Sequence, residues 1–405
     1  MRSNRSKLPF LEFAFILFYT YICLNPNMNV AISMVQFLFM HLIYTFYLIF
    51  KDKKIYRTSV KLLCASFVIA LMYVATTSMV FIDNNASNRY IKGFLTMMNN
   101  YYGLIFPVFL FYRIAVCASQ KQKWILLILS VAVLVVVMKT TMVELQINER
   151  ILKSRMMASL SDDNSLVGGY TFVCAAPILA SGCFYAFLLC RNNIMRWCML
   201  LCTLLLLYFL IKSMYSIALL SAVLGICFCF YVRSSADMKK LYIVAPLITW
   251  LIAPYLLDHF IGFLDDGDTK LRMIELRDFF MSGDFGDEDL GARMEFYRRG
   301  IMAFFQSPIW GNYHLGFNSH STIIEILAST GIIGGYSLFV LLRQAFIILK
   351  VLNRNYSILP ICSTFLFMAM TNPVHSSPPL NISLWLIVPL LYSLIPINRN
   401  YEISI

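Results

Sequence analysis

From Trp124 to Met138 the chain reads WILLILSVAVLVVVM, without a single charged residue. Runs like this recur along the sequence, and most are long enough to cross a hydrocarbon layer of ~30 Å, which takes ~20 helical residues. Lipid offers backbone amides no partners, so such segments must be helices or the strands of a closed barrel. The alternating ten-residue pattern of a barrel is absent from the sequence. The chain therefore reads as an all-α polytopic integral membrane protein. Twelve spans are expected, at roughly 8–24, 28–50, 60–82, 94–118, 124–143, 166–190, 195–211, 214–232, 241–258, 327–349, 355–372 and 380–396. Composition agrees: 60% of the 405 residues are hydrophobic and 13% charged, against about 45–50% and about 25% in soluble domains.

The first run follows a basic segment, MRSNRSK, and ends in NPNMN with no small-residue cleavage site, so it is read as a retained span. Threading twelve spans from a cytoplasmic amino terminus puts KDKKIYRTSVK, SQKQK, RNNIMR, RSSADMKK, KVLNRN and NRNYEISI on the same side as MRSNRSK. These short segments carry 18 of the 33 basic residues and almost no acidic ones. The opposite face holds 12, half of them in one long acidic loop. The positive-inside rule then places both termini in the cytoplasm. A net charge of +12 thus reflects topology and attraction to anionic lipid. It does not point to nucleic acid, for which no basic, aromatic-interleaved soluble surface exists. The 11 cysteines lie in or beside spans, without disulfide or zinc spacing.

Three parts follow: helices one to nine over 1–258, an extracytoplasmic loop over 259–319, and helices ten to twelve with a cytoplasmic tail over 320–405. The cytoplasmic face has only short ties, so polar chemistry belongs to the other side. In the loop, DTKLRMIELRDFFMSG predicts a short helix stopped near Gly283. GARMEFYRRGIMAFFQSP predicts a second, with Met294, Tyr297, Ile301 and Phe304 at helical spacing and Ser307-Pro308 ending it. The glycines at 331, 334 and 335 predict a kink or a close helix contact in the span after the loop. That span and its approach are longer than the hydrocarbon requires, which lifts His320 to the membrane boundary.

Arg293 falls in the first turn of the second loop helix, where a cation opposes the helix dipole. The placement makes sense if an anion shares the site; an ion pair with Asp289 is the plain alternative. Glu295 and Arg299, four apart, are read as helix support. His320 suits a general base at neutral pH, although a loop histidine taken alone is more often structural. His41, inside the second span, is read as a packing residue, while His314 and His375 share the outer face with His320. No close-spaced pair of ligands supports a metal. Arg89, Arg150, Lys153 and Arg155 with Arg293 give that face a positive field, while Lys212 and Lys139 at span ends are read as snorkelling.

The ordered pair GARMEFYRRGIMAFFQSPIWG and NSHSTIIEILASTGIIGGYSLF resembles the O-antigen polymerase/ligase superfamily (Wzy and WaaL type) of bacterial envelope glycosyltransferases. Motif likeness covers about 291–340; elsewhere only the architecture is similar. The resemblance implies a GT-C-like fold and an enzyme of the bacterial inner membrane facing the periplasm. Such an enzyme moves a glycan from undecaprenyl pyrophosphate to an acceptor hydroxyl, with inversion and without metal or cofactor. His320 matches the residue implied to engage the attacking hydroxyl, and Arg293 the one implied to bind pyrophosphate. Lys212, Arg89, Arg155, Arg298, Arg299, His375 and Glu325 are the further candidates for holding the phosphates or the glycan.

The resemblance breaks in the middle of the chain. Many members carry an arginine at the outer end of a middle span, where this sequence has IKSMYSIALL, with Met214 and Tyr215 in its place. Lys212 could supply the charge, though without a bidentate fork, or Arg89 or Arg155 could reach in. The HS form after GFN is more similar to polymerases, which join a chain to a lipid-linked repeat unit and commonly work with a chain-length regulator. A ligase, which delivers the polymer to lipid A–core, is the alternative. A lipid-linked oligosaccharide transporter is another, but it would show related halves and mid-membrane charge, and this chain has charges only near span ends, at Glu12, Arg113 and Arg343.

Overall fold

The computed structural model describes residues 8–78, 86–147, 166–213, 215–235, 289–312, 321–353 and 356–396, with scattered positions between 239 and 281. The main helices are α1 (Phe10–Leu24), α2 (Met34–Lys51), α3 (Lys53–Ser78), α4 (Ala86–Ile105), α5 (Pro107–Cys117) and α6 (Gln120–Ile147). They continue with α7 (Ala176–Leu189), α8 (Asn193–Lys212), α9 (Ser216–Arg233), α10 (Asp289–Gln306), α11 (Thr322–Leu352), α12 (Leu359–Thr371) and α13 (Pro378–Leu394). Seven helical segments among the described residues are long and apolar enough to cross a membrane, and four shorter apolar helices accompany them. Helices lie in the stretches of eleven expected spans, seven of them long and apolar enough to cross, and most of 241–258 lies outside the described residues. The protein is a helical polytopic membrane protein.

Burial sorts the helices into a hub and a rim. Every residue of α13 is buried except Pro378 and Ser393, and Trp385 packs between Phe346 and Phe365. A helix apolar on all sides belongs at such a centre. By contrast, only 22% of the window in Asn193–Lys212 is buried, against 78% in Tyr170–Leu189, so α8 is a lipid-facing rim helix. His41 is a packing residue as expected: its Nε2 lies 2.9 Å from the Tyr19 hydroxyl, and its ring packs against Phe106.

At one end of the bundle, Glu12 gathers five donors. Arg113 grips it through Nε at 2.6 Å and Nη2 at 3.0 Å. Lys51 Nζ lies at 3.0 Å, Tyr44 at 3.2 Å and Tyr47 at 3.1 Å. The carboxylate side chain is 2% exposed and that of Arg113 6%. A buried charge is tolerated only when paired and hydrogen-bonded in this way. The cluster joins α1, α2 and α5.

The opposite end is organised by the break in α11. Gly331 has φ 62° and ψ −158°, so the expected kink sits at the first glycine of the cluster. The turn after α10 fills it. The Ile332 amide donates to Pro308 O at 2.8 Å, and the Asn312 amide to Ala328 O at 2.6 Å. These bonds replace helical ones lost at the break, which matters where water is scarce. Gly311 (φ 83°) crosses so closely that a Cβ would lie 2.3 Å from the Ser329 carbonyl carbon, and one on Gly331 2.3 Å from Ile309 O. Helix α10 ends where the second loop helix was expected to end but starts at Asp289, so Arg293 is its fifth residue and lies past the first turn expected for it. The first, with much of 259–319, lies outside the described residues.

Candidate functional site

Helix α12 ends where it must, at Asn372, because the next residue is Pro373 and the residue before a proline is driven to extended backbone. Asn372 has φ −147° and ψ 155° and is fully buried. Its carbonyl accepts from the Thr322 amide at 3.1 Å and from the Thr322 hydroxyl at 3.0 Å. Ser321 caps α11 by accepting from the Ile324 amide at 3.2 Å. The end of α12 and the start of α11 are therefore locked together.

The Asn372 side chain faces a cluster of phenols. Its Oδ1 accepts from the Tyr215 hydroxyl at 3.1 Å and from the Tyr170 hydroxyl through a short hydrogen bond. The two rings meet edge to face at 4.8 Å. Tyr297, one turn along α10 from Arg293, donates to Thr371 O at 3.1 Å. Tyr215 is a phenol, with an ordinary pKa near ~10, and is neutral at physiological pH.

Arg293 enters this cluster. Its guanidinium stands over the Tyr215 ring at 5.9 Å, and Nη2 donates to the Tyr215 hydroxyl at 3.4 Å. Nη1 is buried and has no hydrogen-bond partner among the described residues. None of the ion pairs among them involves Arg293. A neutral phenol cannot neutralise a guanidinium, so the cation keeps a desolvated N–H with an unmet demand for an acceptor.

His375 belongs to the same network through Thr322, whose Oγ1 lies 3.1 Å from Nδ1. That hydroxyl already donates to Asn372 O, so Nδ1 is assigned as the N–H donor and Nε2 is left as the basic nitrogen. The ring stacks on Tyr101 at 5.0 Å and 12°. Burial lowers its pKa from 6.5 to about 4, so it is neutral at physiological pH.

The other expected residues are placed less uniformly. Glu325 sits in the first turn of α11, within electrostatic reach of Tyr101. Lys212 is exposed at the end of α8. Arg298 and Arg299 leave the site: both pair with Glu295 at 2.8 Å, the helix support expected of the i,i+4 pair. Two hydrogen bonds from Arg298, then one from Arg299, hold the Glu295 carboxyl down at about 2. Arg89 begins α4, but its side chain, like all of Arg155, His314 and His320, lies outside the described residues. Tyr170, Tyr297 and Asn372 were not anticipated. The one signal for Asn372 was its Asn-Pro pair, which marks a helix stop. Compared with known proteins, the chain matches no family model and no curated sequence.

Proposed function

We propose that this protein is a polysaccharide polymerase of the bacterial inner membrane. It transfers a growing glycan from undecaprenyl pyrophosphate to the acceptor hydroxyl of another lipid-linked repeat unit at the periplasmic face. The observation that carries this reading is Arg293: a half-buried cation whose buried Nη1 has no partner among the described residues, framed by phenols and by Asn372, where α10 meets the ends of α11 and α12. Such a group fits a pyrophosphate oxygen, whose negative charge grows as the bond to the sugar breaks. In the proposed reaction the acceptor oxygen bonds to the anomeric carbon from the side opposite the leaving group. The bond from that carbon to the pyrophosphate oxygen breaks, and pyrophosphate leaves with the electron pair. The hydroxyl proton passes to His320, whose assignment rests on the motif resemblance. Tyr215 occupies the place of the family's middle-span arginine and contributes a neutral hydroxyl there instead of a charge.

A glycolipid gel of a deletion strain complemented with Arg293→Ala or His320→Ala tests the proposal. Both variants should insert normally and give lipid A–core carrying one repeat unit at most. Normal chain lengths from both would refute the assignment. Bare core, with polymer stranded on the lipid carrier, would instead identify a ligase.

A further inference from the structure

Helix α10 has three faces, and only two of them are accounted for. With successive residues turned by about 100°, Arg293, Tyr297, Gly300 and Phe304 share one side. That side lies against the bundle: Gly300 meets Ile324, where a Cβ would come within 2.5 Å of Cγ2, and Ala303 is buried with Ala328. Glu295, Arg299 and Gln306 form a second, polar side, with Arg299 and Gln306 exposed, Glu295 half-buried and the exposed Met302 among them. Between them Met294, Ile301 and Phe305 make an exposed apolar stripe, with Phe305 73% exposed. The turn after the helix extends it with Ile309 and with Trp310, 60% exposed.

We infer that this stripe is a membrane-surface anchor, seated in the bilayer leaflet at the Thr322 end of α11, with phospholipid as its occupant. The stripe continues a lipid-facing surface. Helix α11 exposes no side chain from Thr322 to Gly331, then exposes Ile332, Tyr336 and Phe339. The Ile332 amide is hydrogen-bonded to Pro308, next to Ile309 and Trp310, so the two apolar surfaces meet at the kink. Depth agrees. The 31 residues of α11 span ~46 Å as helix against ~30 Å of hydrocarbon, so its Thr322 end stands among headgroups. A helix with apolar and charged stripes side by side lies in that zone, and tryptophan is favoured there. Arg298, at the edge of the stripe and exposed, can reach lipid phosphate with its stem on the apolar side. The inference concerns where α10 lies and is independent of the transfer chemistry.

The test uses the full chain in nanodiscs of phosphatidylethanolamine and phosphatidylglycerol. Benzoylphenylalanine is placed singly at Ile301, Phe305, Glu295 or Arg299, with Phe339 as the lipid-facing control. After irradiation, lipid adducts read by mass spectrometry should be several-fold more abundant at 301 and 305 than at 295 and 299, and comparable to 339. Equal yields at all four positions, or adducts at 301 and 305 mainly to a second copy or to the chain's own loop, would overturn the inference. A second measurement needs no photoprobe. The fluorescence lost on Trp310→Phe should be the part that acyl-brominated lipid quenches; if that part is unquenched, the anchor is wrong.

Discussion

Two arginines mark the two ends of the bundle, Arg113 buried and Arg293 half-buried, and they are satisfied in opposite ways. Arg113 meets a carboxylate with two parallel hydrogen bonds, and that carboxylate is further wrapped by a lysine and two tyrosines. Arg293 donates to a phenol hydroxyl and stands over that ring, and it leaves Nη1 without a partner among the described residues. A saturated buried charge holds helices together, whereas an unsaturated one keeps its electrostatic reach for something that arrives later. Deleting the first should cost folding, and deleting the second should cost function.

The largest expected effect is at the saturated end. Glu12→Ala strands Arg113 and should destabilise the protein by about 3–5 kcal/mol, the range for breaking a buried pair from one side. Thermal unfolding in detergent reads it. Glu12→Gln with Arg113→Met, which removes both charges, should restore most of that loss; if the double variant is as unstable as the single one, the cluster is not acting as an ion pair. At the other end, Arg293→Ala should leave the unfolding temperature nearly unchanged while transfer from a labelled lipid-linked repeat unit falls about 10²–10³-fold. A drop in stability matching that of Glu12→Ala would erase the contrast. Arg293→Lys should recover only part of the rate, since a point charge lacks the guanidinium fork.

Smaller changes sharpen the picture. Tyr215→Phe removes the acceptor for Nη2 and should slow transfer about fivefold, as expected for one hydrogen bond of about 1 kcal/mol. His375 gives a test through pH. Its folded pKa, about 4, lies below the ordinary 6.5, so in acid the unfolded chain binds a proton that the folded one refuses. Stability is therefore fully present above about pH 6.5 and falls as pH drops toward 4, by roughly 1–2 kcal/mol at pH 5. His375→Gln should flatten that part of the pH–stability curve.

The spans were legible because nearly every residue in them must be apolar, a demand repeated over some twenty positions. Helix α10 and the kink were legible for a similar reason: a proline and a glycine cluster act locally. The Arg293 cradle was not, because Tyr170, Tyr215 and Asn372 lie far apart in the chain and meet only when the helix ends converge. The sequence also hid the division of the α10 apolar residues. Met294, Tyr297, Ile301 and Phe304 were grouped by spacing, yet Tyr297 and Phe304 turn inward while Met294 and Ile301 are exposed. Periodicity shows that a face is apolar and cannot say whether protein or lipid covers it.

The break at Gly331 bears on how the chain is assembled. The groups that satisfy its unpaired amide and carbonyl, Pro308 O and the Asn312 amide, are synthesised before the glycine itself. When α11 enters the bilayer, its complement is already made, tethered about twenty residues upstream. A circular permutant opened between Asn312 and Thr322 would lose that head start, and α11 would insert with open hydrogen-bonding groups and no nearby segment to close them.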